Sequence, residues 1–100
     1  MAVPFAFDER QIADFCRRWR VVELALFGSA VRDDFGPQSD IDVLITFEDD
    51  VPWSLWDFGA MRDELAEAFG RRVDLVEKRA IKNPFRRHSI LSNYEVIHAA

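Results

Sequence analysis

Gly28-Ser29-Ala30-Val31-Arg32-Asp33-Asp34-Phe35-Gly36-Pro37-Gln38-Ser39-Asp40-Ile41-Asp42 separates two apolar runs. Val21 to Phe27 precedes it and reads as a strand, stopped by Gly28 and Ser29. Asp33 to Ser39 has the chemistry of a loop, with Gly36-Pro37 at its centre. Asp40 to Phe47, rich in Ile, Val and Thr, reads as a second strand. Side chains two apart on a strand share a face, so Asp40 and Asp42 would stand side by side with Cα atoms about 6.6 Å apart. Ile41, Val43 and Ile45 would face a core, and Leu44 and Thr46 would share the aspartate face. Two carboxylates about 4 Å apart repel by about 4 kcal/mol at an effective dielectric of 20. No Lys or Arg lies within that strand to offset the repulsion. Protonation, exposure to solvent or a hard divalent cation would each relieve it.

The neighbouring residues extend this reading in both directions. Asp8 with Gln11 resembles a capping box, and Ile12, Phe15, Cys16 and Trp19 follow helical spacing, predicting a first helix over Glu9 to Trp19. Ser54 can cap a second helix whose apolar stripe is Leu55, Phe58, Met61, Leu65 and Phe69, with Gly70 as its stop. Val73 to Val76 reads as a third strand. Asn83 and Pro84 look like the N-cap and first residue of a short helix, and Tyr94 to His98 like a final edge strand. The order α-β-β-α-β-α-β implies an α/β fold, a small mixed sheet of about four strands flanked by helices. The long crossover between the second and third strands predicts that they run parallel. Residues 1–100 read as a single domain, with material for one modest core.

Asp74 lies inside the third strand among apolar residues, and a bare acid there needs a partner. If that strand neighbours the second, Asp40, Asp42 and Asp74 converge. Such a site suits two Mg²⁺ ions, one activating a nucleophile and one on a triphosphate. Gly28 lets the backbone turn sharply and approach a phosphate, Ser29 adds a hydroxyl donor, and Arg32 can add a charge-assisted bond. A phosphate cradle beside an acidic metal site is the equipment of in-line phosphoryl or nucleotidyl transfer.

The formal net charge of −5 argues against direct binding to a nucleic-acid backbone. Arg71, Arg72, Lys78, Arg79, Lys82, Arg86 and Arg87 are nevertheless crowded into one stretch. They read first as a solvated face and second as contacts to an anionic ligand or acidic partner. No apolar run approaches the ~20 residues needed to cross a bilayer. One cysteine, Cys16, excludes an intramolecular disulfide, and a soluble cytoplasmic protein is expected. Trp53, Trp56 and Tyr94 read as packing residues, with stacking or partner contact as the other possibility for the tryptophans. His88 and His98 are too isolated to form a metal site together.

The pattern G-S-x10-D-x-D over Gly28 to Asp42 resembles the signature of the nucleotidyltransferase superfamily that includes DNA polymerase beta. The chain is similar to its minimal members, the MNT antitoxins of HEPN/MNT toxin–antitoxin pairs, from the first helix to the last strand. The segment Arg79-Ala80-Ile81-Lys82-Asn83-Pro84-Phe85 is part of that likeness. The resemblance implies a nucleotidyltransferase fold, with Asp40, Asp42 and Asp74 as catalytic metal ligands. It also implies ATP as donor and a tyrosine of a partner HEPN ribonuclease toxin as acceptor, in a hetero-oligomer with that toxin. Such a partner would bind next to the acids through exposed aromatics and the stretch around Arg86 and Arg87. Two other readings use the same residues: transfer to a small-molecule acceptor, and a non-catalytic module that covers a toxin under nucleotide control.

Overall fold

Each helix begins where a short polar side chain can satisfy its first N–H groups. In this computed structural model, which describes residues 5–31, 36 and 39–99 without the side chains of Ser29 and Ala30, helix α1 spans Glu9–Arg18. Its N-cap Asp8 accepts from the Arg10 N–H at 2.9 Å. Helix α2, Leu55–Phe69, carries the reciprocal capping box: Ser54 accepts from Asp57 N–H, and Asp57 accepts from Ser54 N–H. It ends at Gly70, whose φ of 68° is a left-handed stop that costs a glycine little. Helix α3, Pro84–Leu91, is capped by Asn83, which accepts from Phe85 and Arg86 N–H.

The strands are β1 Val21–Phe27, β2 Ile41–Phe47, β3 Val73–Glu77 and β4 Glu95–Ala99, in the spatial order β3-β2-β1-β4. Short 3-10 turns, Gly28–Val31 and Lys78–Ala80, follow β1 and β3. The β1–β2 and β1–β4 pairs are antiparallel, and β2–β3 is parallel, with α2 as its crossover. The mixed four-stranded sheet and the parallel β2–β3 pair are as the sequence predicts. Asp40 lies just outside β2, because the ladder to β3 opens with the Ile41 N–H donating to Arg72 C=O at 2.9 Å.

The alternation in β2 divides the interior into two layers. Ile41, Val43 and Ile45 join Leu24, Leu26, Ile12, Phe15, Met61 and Leu65 under α1 and α2. On the other face, Leu44 joins Ala25, Phe27, Ile81 and Ile90 under α3. The stripe of α2 is corrected at one position. Met61, Leu65 and Phe69 are buried, whereas Leu55 is 90% exposed. At 100° per residue, Leu55 lies about 120° around the helix from Met61, so it cannot share that face.

Candidate active site

Asp42 is the second residue of β2. It is paired in register with Phe27 across the antiparallel ladder and with Asp74 across the parallel one. Register neighbours in a sheet leave the same face about 4.8 Å apart, so the Asp42 and Asp74 carboxylates are neighbours. Asp42 is half-buried and Asp74 exposed. Phe27 also delivers the chain into Gly28, directly beside Asp42. Gly28 has φ 68°, and a Cβ built there would sit 2.1 Å from Asp42 Oδ2. The glycine is therefore needed twice, once for the turn and once for the close approach of the aspartate.

Asp40 behaves differently. Its carboxylate is paired with Arg72 Nε at 3.2 Å, and both side chains are well exposed. Arg71, next to it, donates to Gly36 C=O at 2.7 Å and Ser39 C=O at 3.2 Å. Arg71 and Arg72 thus hold the segment leading into β2 against the start of β3. The cation absent from the aspartate strand comes from the neighbouring strand's lead-in. Among the described residues, no three His, Cys, Asp or Glu side chains are grouped closely enough to hold a metal ion. The structure brings Asp42 and Asp74 together and leaves Asp40 on Arg72. The Ser29 side chain and Arg32 lie outside the described residues.

A cleft of about 480 Å³ opens beside Asp42, walled by Phe27, Gly28, Asp42, Ser89, Ile90 and Asn93. Sequence reasoning missed Ser89 and Asn93. Their four-residue spacing is a weak signal until α3 is seen to lie over this end of the sheet.

The model of the nucleotidyltransferase domain family matches residues 9–97. The chain belongs to this family. Protein adenylyltransferase MntA of Thermococcus cleftensis is 41% identical over 66 residues, 66% of this chain and 65% of that protein. A candidate protein adenylyltransferase of Methanocaldococcus jannaschii is 38% identical over 73 residues, 73% of this chain and 72% of that protein. A solved candidate minimal nucleotidyltransferase is 30% identical with a TM-score of 0.69, covering 90% of this chain and 87% of its own. A toxin–antitoxin structure with AMP-PNP shares the fold at 21% identity, with a TM-score of 0.73 over 93% of this chain and 74% of that chain.

Within this nucleotidyltransferase, much of the basic stretch has structural partners. Besides Arg71 and Arg72, Lys78 pairs with Glu23 at 3.5 Å and Arg79 with Asp49 at 2.8 Å, and Arg87 donates to Lys78 C=O at 3.0 Å. Trp53 donates to Trp19 C=O at 3.0 Å and stacks edge-on against its ring, the packing role expected of it. Trp56 instead is 89% exposed, as are Leu55 and Phe85 at 90% and 85%. Arg86 and Leu55 line a second cavity of about 560 Å³ with Phe47, Trp53 and Glu77. That cavity lies at the C-terminal ends of β2 and β3. Phe47 is five residues along β2 from Asp42, about 16 Å at the strand rise. The start of α2 therefore stands at the opposite end of β2 from Asp42, whereas Arg86 lies on α3 one turn before Ser89 and Ile90. No helix among the described residues is long and apolar enough to cross a membrane.

Proposed function

We propose that this nucleotidyltransferase transfers AMP from ATP to a tyrosine of a partner HEPN ribonuclease toxin and thereby neutralises it. The observation that carries the reading is the pairing of Asp42 with Asp74 beside Gly28, a glycine whose backbone approaches the acid too closely for any side chain. Relatives named as protein adenylyltransferases support the protein acceptor. Neighbouring structures include a tri-AMPylated HEPN toxin of Shewanella oneidensis in complex with an MNT antitoxin. A buried, unpaired Cys16 accords with a reducing, cytoplasmic setting.

The donor set suits Mg²⁺, since Asp40, Asp42 and Asp74 offer only hard carboxylate oxygens. Two ions held there would supply charge neutralisation around the phosphates. Asp42 and Asp74 would hold them, and Asp40 would join on leaving Arg72. Gly28 would give the phosphates room, with Ser29 and Arg32, which follow it in the sequence, as their contacts. In the reaction the tyrosine oxygen bonds to the α-phosphorus of ATP and the bond from that phosphorus to the bridging oxygen breaks. Pyrophosphate leaves with the electron pair, and the phenolic proton passes to Asp74 or to water.

Mass spectrometry of the purified toxin after incubation with ATP and Mg²⁺ should show added AMP groups. Asp42→Asn should lower the rate by several orders of magnitude. Equal modification by that variant would remove Asp42 from the chemistry. Tight binding of toxin without any modification by the wild-type protein would make the chain a covering module instead.

A further inference from the structure

The cleft beside Asp42 has two chemically different walls. Gly28 and Asp42 form the wall where the proposed reaction takes place. The other wall belongs to the end of α3: Ile90 is buried, and Ser89 and Asn93 flank it with exposed polar side chains. Ser89 and Asn93 are four apart, a spacing that brings side chains together on one side of a helical turn. At about 480 Å³ the cleft falls within the ~300–1,000 Å³ range of small-molecule sites.

Asn93 follows the C-cap of α3, a position where an asparagine ordinarily serves the helix end. Here that work is done by others. Both the N–H and the hydroxyl of Ser92 donate to His88 C=O, at 2.9 and 2.5 Å. The Ile90 C=O takes the Asn93 backbone N–H at 3.3 Å. The Asn93 carboxamide is thus left available to the cleft, next to the apolar surface of Phe27 and Ile90.

We propose that Asn93 selects the nucleobase and that its carboxamide favours adenine. The inference rests on the proposed nucleotide transfer, with the phosphates at Gly28 and the base against α3. A carboxamide presents one acceptor and one donor side by side. Adenine offers the complement, its N6 amino group as donor and N7 as acceptor. Guanine offers O6 and N7, both acceptors, so the carboxamide oxygen would face a lone pair. The Ser89 hydroxyl can donate or accept by rotating, so it serves either base and does not discriminate.

Calorimetric titration of the full chain with ATP and with GTP, each with Mg²⁺ and no acceptor protein, reads the preference without turnover. Wild type should bind ATP about tenfold or more tightly than GTP. Asn93→Leu, which removes both the donor and the acceptor, should bring the ratio close to one, while Ser89→Ala should keep it. Asn93 is exposed, so the variants should fold, and their melting curves verify this. A wild-type ratio preserved in Asn93→Leu overturns the base-selecting role and leaves nucleotide transfer intact. Equal binding of ATP and GTP by wild type does the same. A wild type that binds neither nucleotide overturns the proposed transfer together with this inference.

Discussion

Gly28 and Asp42 form one structural unit although fourteen positions separate them in the chain. A residue other than glycine at φ 68° pays roughly 1–3 kcal/mol in backbone strain. The added Cβ must also displace the Asp42 carboxylate, which lies 2.1 Å from where that atom would be. Gly28→Ala should therefore lower the adenylyl-transfer rate at least a hundredfold, a loss larger than its effect on melting would explain. Transfer assays and thermal melts on the same preparation check this, and a variant with wild-type transfer would show that Asp42 has no need of its present position. The three acids should separate by the same kind of measurement. Asp74 is exposed, so Asp74→Asn should change the ligand-free stability by no more than about 0.5 kcal/mol. Asp40 is offset by Arg72 in an exposed pair of the kind usually worth about 0–1 kcal/mol. The ligand-free acid cluster is thus less costly than strand spacing alone suggests, because its cation arrives from the lead-in of β3.

At the scale of elements, α1 is tied to α2 through Glu64, which accepts from both Arg18 and Trp19, the latter at 2.6 Å. Partial burial works to raise the Glu64 pKa, but the two hydrogen bonds and the Arg18 charge outweigh it and hold the carboxyl below its ordinary value. A depressed folded-state pKa means that the unfolded chain takes up the proton first as pH falls. The tie therefore contributes fully above the ordinary glutamate value of about 4.3 and is lost as pH drops through the folded value. Glu64→Gln should flatten the acid limb of the stability–pH curve while changing its neutral region less. Denaturant melts between pH 3 and 7 measure both, and an unchanged acid slope would remove Glu64 from the acid response. The start of α2 is a separate test of the same element. Ser54→Ala breaks its capping box and should cost about 1 kcal/mol, seen as a lower urea midpoint at unchanged m-value.

For the whole molecule, ligand binding and thiol protection report on the cooperative fold. A ligand that binds only the folded state stabilises it by RT ln(1 + [L]/Kd), about 2.7 kcal/mol at one hundred times Kd. For a domain of this size that is a rise in Tm of roughly 10–20 °C with Mg²⁺ and a non-hydrolysable ATP analogue. Asp42→Asn should shrink the shift, and a full shift in the variant would rule out Asp42 as a metal ligand. Cys16 sits within the layer under α1 and α2, and burial pushes its thiol up to about 12. At pH 8 it should react with a thiol reagent only when the domain opens, at a rate that follows denaturant. Rapid labelling in native buffer would show that α1 detaches on its own.

What was legible in the sequence was local. Val21–Phe27 was readable to the residue because an apolar run ends at a glycine. The starts of α2 and α3 were readable because Ser54 and Asn83 cap by contacts within three residues. The spacing of Asp40 and Asp42 after Gly28-Ser29 marked the acid end of the sheet for the same reason. Tertiary structure alone decided how the acids are used. The register of β2 on β3 sets Asp74 beside Asp42, and Arg72 claims Asp40. The angular position of Leu55 on α2 leaves it in solvent, and the placement of α3 over Phe27 turns Ser89 and Asn93 into a wall of the cleft. Caps and periodicity depend on neighbours a few residues away, and one chain displays them directly. The β2–β3 register, the Asp40–Arg72 pair and the α3 wall of the cleft depend on residues thirty or more positions apart, whose juxtaposition exists only once the sheet has closed.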